Sequence, residues 1–243
     1  MPVKLNIATT EAGVLTSLAK HFIQTGQEAI SARGRFSVSL SGGSSPKKLY
    51  EMLASADYRD QLDWTKVDFF FGDERNVPQD DKESNYLMAK TALFDPLNIA
   101  HENIFAVNTS SGPEGASAEY AITIFNYFKG EEMVFDLVLL GLGDDAHTAS
   151  LFPHTSILQD RTASVREVYL HDKQVFRISM TYRLINQARH IAFLVYGPSK
   201  AEAVHHALED APNTDLYPAQ LISKETDQQW FLDEAAAAKL EKK

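Results

Sequence analysis

The sequence predicts an α/β fold built on a mostly parallel sheet, and three observations carry that prediction. Strand-length apolar runs alternate with helix-length segments along the chain, the pattern of strands joined by crossover helices. One run, Phe135–Leu140, is continuous but for Asp136 and ends in glycines, as a strand buried on both faces does. Four polar clusters follow directly on four apolar runs. Parallel strands would bring those clusters to one edge of the sheet, where open α/β sheets bind ligands.

In chain order the expected strands are Lys4–Ala8, Phe36–Leu40, Val67–Phe71, Ile104–Val107, Phe135–Leu140, Val165–Leu170, Val175–Met180 and Ile191–Tyr196. The expected helices are Glu11–Ile30, Pro46–Ala54, Ser84–Leu93, Glu114–Phe128 and Ser199–Leu208. Pro46 and Pro198 stand near helix starts, where a missing N–H costs little. The tail from Asp233 to Lys243 is rich in Ala and Lys and reads as a final helix that frays. No repeat, low-complexity linker or shift in composition marks a domain boundary in the 243 residues, a length that suits one large domain or two small ones.

Composition narrows the function. The chain has no cysteine, which removes disulfides, thiolate metal sites and a cysteine nucleophile and suits a reducing, cytoplasmic setting. The opening MPVKLNIATTEAG lacks the basic-then-apolar order of a signal peptide, and no apolar run approaches membrane-spanning length. A net charge of −10 argues against broad affinity for nucleic acid or anionic membrane. It leaves room for a small anionic substrate, because a local cluster of Arg and Lys overrides the mean.

The four clusters are Ser41-Gly42-Gly43-Ser44-Ser45, Gly72-Asp73-Glu74-Arg75, Gly141 to His147, and Gly197-Pro198-Ser199-Lys200. The first joins a strand to a helix, where glycines let amides approach an anion and the helix N-terminus favours negative charge. Its plain alternative is a turn capped by Ser45. The second is either a solvated loop with a local ion pair or a set of acids that orients a substrate. In the third, Asp145 stands two residues before His147 and can fix its imidazole tautomer, while a lone histidine is more often structural. Gly141 to Ala146 formally matches a dinucleotide fingerprint, but Asp144 and Asp145 would repel a pyrophosphate, so no nicotinamide cofactor is expected. No set of three metal ligands is evident, so no metal is expected. Ser150 is in no Gly-x-Ser-x-Gly elbow. Arg177, inside the apolar segment Val175–Met180, needs an anionic partner, either a nearby acid or a phosphate gripped bidentately. Lys200 would add a point charge to the same anion, or is a surface lysine.

Taken together, SLSGGSSPKKLYEML, FFFGDERNVP followed by SNY, DLVLLGLGDDAHTASLFP, RISMTYRLINQA and VYGPSKAEAV resemble the 6-phosphogluconolactonase family, in its order, from Ser39 to Val204. The resemblance implies hydrolysis of 6-phosphoglucono-1,5-lactone to 6-phosphogluconate, the second step of the oxidative pentose phosphate pathway. It implies one domain over residues 1–243 with a three-layer, Rossmann-like fold, without nucleotide or required metal, and we expect a monomer. His147 falls on the family's catalytic histidine. Gly42, Gly43, Arg75, Arg177 and Lys200 fall on its substrate-binding positions, and Asp73 and Asp145 match acids at the site. The family usually reads Asp-Gly-His where this chain has Asp145-Ala146-His147. If that position needs positive φ, alanine costs about 1 kcal/mol, and its methyl group is expected to crowd the substrate.

A lactone is an activated ester, so no covalent intermediate is needed. Neutral His147 would deprotonate a water that attacks C1, and the imidazolium would return the proton to the ring oxygen. Asp145 would orient His147, while Arg177, Lys200 and the Gly42–Ser44 amides would hold the 6-phosphate. Two rivals stand beside this. Aminosugar-phosphate isomerases and deaminases look like DGHIAFNEP at the turn and use its Glu for ring opening, whereas Ser150-Leu151-Phe152-Pro153 has no carboxylate. A non-catalytic sugar-phosphate sensor would keep Arg177 and Lys200 and need no His147.

Overall fold

The most continuous apolar runs become strands of a central sheet that can be covered on both sides. A computed structural model describes residues 3–241 and contains a six-stranded sheet whose neighbouring strands all pair in parallel. Its strands are β1 (Lys4–Ala8), β2 (Phe36–Leu40), β3 (Val67–Phe71), β5 (Leu137–Leu140), β8 (His190–Val195) and β9 (Asp227–Asp233). Their order across the sheet is β1-β9-β8-β5-β2-β3. A second, antiparallel sheet holds β4 (Asp73–Arg75), β7 (Val175–Met180) and β6 (Val165–Leu170) in the order β4-β7-β6. Gly72 couples the two sheets: its N–H donates to Leu40 O at 2.9 Å and its carbonyl accepts from Met180 N at 2.9 Å.

Alternate residues of each strand feed opposite cores. Leu137 and Leu139 pack with α1 (Glu11–Arg33), α2 (Ser44–Leu53) and the segment formed by α3 (Asn85–Ala89), a π-helical turn over Lys90–Phe94 and α4 (Asp95–Leu97). Val138 and Leu140 pack with α5 (Gly112–Tyr127), α7 (Ala201–Leu208) and the inner face of the second sheet. The short α6 (Tyr182–Ile185) follows β7 and buries Leu184 and Ile185 in the same core. The result is the expected three-layer α/β architecture. Local signals set the long helix: the Thr10 side chain accepts from Gly13 N at α1's start, and Gly34 closes it in the left-handed region at φ 79°.

Several expectations need correction. Asp227–Asp233 is a strand, β9, that the sequence hid behind a polar start. Gln228 and Gln229 are buried there, and Gln228 Oε1 accepts from Trp230 Nε1 at 3.2 Å. The expected final helix over Asp233–Lys243 is instead the end of β9 followed by turns through residue 239, with Asp233 Oδ1 accepting from Ala236 N. Lys242 and Lys243 lie outside the described residues. Of Ile104–Val107, only Ile104 bridges to the sheet, at Phe69. The expected strand Val175–Met180, with Arg177, forms as β7 in the antiparallel sheet.

Candidate active site

The strand order reverses between β2 and β5: from β2 the chain proceeds outward to β3, and from β5 it proceeds through β8 to β9. At such a reversal the loops beyond the strand ends diverge and leave a crevice. A cleft of about 270 Å³ lies there, and Gly42, Gly43, Ser44, Asp73, Arg75, His147 and Lys200 all line it. Asp145 stands behind His147, and Arg177 lies opposite Arg75 across the β4–β7 pair.

The His147 turn is built by backbone bonds from Gly143 N to His147 O (2.8 Å) and from Ala146 N to Gly143 O (3.0 Å). A Cβ on Gly143 would overlap the His147 ring and the Asp145 carboxylate, so glycine is required at that point. His147 Nδ1 meets Asp145 Oδ1 at 2.5 Å, and the His147 amide donates to the same oxygen at 3.2 Å. Partial burial pushes the Asp145 carboxyl up, but the His147 hydrogen bonds and charge outweigh it and hold the carboxyl below its ordinary value. Ala146 does adopt positive φ, at 58°. Its methyl group, however, is fully buried in the core with Leu142 and Leu151, so it does not crowd the cleft.

The first loop is held from behind. Tyr50 OH donates to Ser41 O at 2.8 Å and accepts from Ser41 N at 3.0 Å, and full burial pushes its phenol pKa up. The alternative Ser45 cap is absent: α2 begins at Ser44 with Gly43 at the cap position, φ 110°, and no side chain bonds its first amides. That leaves donors of a helix N-terminus facing the cleft.

Arg75 and Arg177 are register partners. Arg75 Nη1 donates to Glu83 O at 2.5 Å, and no carboxylate forms an ion pair with either arginine among the described residues. Burial pushes the Arg177 pKa down, and the neighbouring Arg75 charge pushes the same way. Arg75 lines the cleft and Arg177 stands beside it outside the lining, with Asp73, Glu74 and Glu83 as their acidic neighbours; a guanidinium with no ion-paired carboxylate suits an anion. Lys200 is not free in this way; its ammonium donates to Asp144 Oδ1 at 2.7 Å and Leu142 O at 2.8 Å, tying the fourth cluster to the His147 turn.

Three residues were not singled out by sequence reasoning. Glu74 is buried and accepts from Arg75 N, Asn85 N, Tyr86 N and Ser84 Oγ. Burial pushes its carboxyl up against the pull of those amides, and its role is to fasten the start of α3 to β4. Asn85 donates from Nδ2 to Asp73 O at 2.9 Å and lies against Gly42, where a Cβ would overlap its amide. Asp73 Oδ2 accepts from Ser150 Oγ at 2.7 Å. Phe152 stacks on the His147 ring with centroids 3.9 Å apart. Only the motif neighbourhoods SNY and HTASLFP hinted at Asn85 and Phe152. Among the described residues no group of three or more His, Asp or Glu side chains is placed to hold a metal ion.

The family model described as glucosamine-6-phosphate isomerases/6-phosphogluconolactonase matches residues 9–231. The chain belongs to this family. Within the glucosamine-6-phosphate isomerase/6-phosphogluconolactonase family, it is 43% identical over 217 residues to a 6-phosphogluconolactonase of Nostoc sp., covering 87% of this chain and 88% of the relative. It is 41% identical over 219 residues to a 6-phosphogluconolactonase of Synechocystis sp., covering 88% of each. The solved 6-phosphogluconolactonase from Trypanosoma cruzi superimposes with a TM-score of 0.87 at 27% identity, over 100% of this chain and 98% of that one.

Proposed function

We propose that the chain hydrolyses 6-phosphoglucono-1,5-lactone to 6-phosphogluconate, with His147 as the base. The observation that carries this is the Asp145–His147 pair at the reversal of strand order, within one cleft that also holds an unpaired arginine. With Nδ1–H directed to Asp145, the lone pair of neutral His147 resides on Nε2, where it can take a proton from water. That water attacks C1 of the lactone, the bond from C1 to the ring oxygen breaks, and the imidazolium returns its proton to the leaving oxygen. Asp145 steadies the imidazolium between those steps. Arg75, Arg177 and the first amides of α2 would hold the phosphate, and Lys200 the turn that carries the base. Anchoring the remote phosphate fixes the carbonyl beside His147, and such positioning removes several kcal/mol of barrier.

The relatives' names agree with this chemistry. Ring opening of an aminosugar phosphate would need a carboxylate after the turn, and Ser150 there directs its hydroxyl to Asp73. Lactone hydrolysis measured above the spontaneous background, with and without His147, tests the assignment. Wild-type rates no faster than the background would reduce the protein to a sugar-phosphate binder.

A further inference from the structure

We propose that Phe152 is a positioning residue that holds the face of the His147 imidazole, and that Lys173, seated over the same phenyl ring, helps keep that ring in place. The inference rests on His147 being the base. A single hydrogen bond from Nδ1 to Asp145 fixes the ring's edge but leaves it free to swing about that contact. Phe152 supplies the second constraint, stacked at 3.9 Å and inclined by 26°. Its own backbone is anchored: Phe152 O accepts from Thr155 Oγ1 at 2.6 Å, and the preceding Leu151 bridges to Thr148. Half-buried against the larger core, the phenyl ring has little freedom to follow a drifting imidazole.

Lys173 comes from the turn between β6 and β7, and its Nζ lies 5.3 Å from the Phe152 centroid. No carboxylate forms an ion pair with it among the described residues. An ammonium over an aromatic face is attracted by the ring quadrupole, and here that places a positive charge within about 9 Å of the imidazole. The other charges near His147 are Asp145 on its own turn, the Lys200–Asp144 pair, and Asp73 and Arg75 across the cleft. The same hairpin carries Arg177, so one element would serve both ends of the bound substrate.

The test uses the full chain and steady-state hydrolysis of the phosphorylated lactone from pH about 5 to 8, the range in which histidine titrates. Phe152→Leu should lose about 10-fold or more in kcat with little change in KM, as expected for a misplaced base, and Phe152→Tyr should recover most of the loss. Lys173→Met should lower kcat in the same sense but by less than Phe152→Leu. An unchanged kcat in folded Phe152→Leu, failure of Tyr to rescue, or an unchanged kcat in Lys173→Met overturns the proposal. If Phe152→Leu does not fold, Phe152→Met decides. Full turnover by His147→Ala would instead remove the base assignment itself, whatever Phe152 and Lys173 do.

Discussion

Replacing Arg177 with methionine should weaken a phosphorylated substrate and raise the melting temperature together. Arg177 is partly desolvated, faces Arg75 in register and has no ion-paired carboxylate among the described residues. Methionine keeps most of the apolar stem and removes the charge. Like charges on directly opposed cross-strand residues are destabilising by up to about 1 kcal/mol, so relief of up to that size is expected. For a chain of this size that is worth about 2–4 °C. The lost charged contact to phosphate costs about 1.5–3 kcal/mol, or roughly 10- to 150-fold in KM. The assay compares 6-phosphogluconolactone with its phosphate-free counterpart, alongside thermal melts with and without inorganic phosphate. KM should rise for the phosphorylated lactone only, and added phosphate should stabilise the wild type more than the variant. Equal losses on both lactones with a lower melting temperature would refute the reasoning and make Arg177 a structural residue.

Gly143→Ala should abolish most turnover in a protein that still folds, because the new Cβ would overlap the His147 ring; near wild-type kcat would mean the turn can move without harm. His21 is half-buried with its enclosed Nε2 unpartnered, and burial followed by the His190 charge lowers its pKa to about 4. Because the unfolded chain binds that proton near pH 6.5 and the folded chain does not, stability falls as pH drops from about 6.5 to 4, by about 3 kcal/mol in all. Urea unfolding of His21→Phe beside the wild type should show the acid loss reduced in the variant, and identical slopes against pH would contradict the origin assigned to it.

The fold was legible at most of the continuous apolar runs, though Ile104–Val107 contributes only a single bridge at Ile104. Val67–Phe71 and Phe36–Leu40 match their strands residue for residue, because both faces of the sheet are covered and every position is apolar or a buried polar group with a partner. β9 escaped because Asp227-Gln228-Gln229 reads as loop, and only the hydrogen bonds made by its glutamines permit their burial. The tail misled in the opposite sense, since Ala-rich composition favours helix locally while Asp233, spent on Gly197 and Ala236, holds the chain in turns.

The candidate site was legible as clusters at strand ends, because each packs glycine and polar or charged residues into a short span. The partners that hold those groups were not, since Glu74, Asn85 and Phe152 act through contacts that sequence spacing does not encode. Ala146 shows the limit most clearly. Its positive φ could be suspected from the family's usual glycine, but the inward direction of its methyl group could not. Burying a methyl returns about 0.8 kcal/mol, close to what the left-handed backbone costs.

The central claim is that neutral His147 activates the water that opens the lactone. The direct measurement is single-site replacement by alanine and by glutamine, with hydrolysis of 6-phosphogluconolactone followed against its spontaneous rate. A positioned histidine typically contributes about 10²- to 10⁴-fold, so both variants should fall by that order while keeping the wild-type melting curve and phosphate affinity. A folded His147→Ala protein that turns over at near the wild-type rate would contradict the account.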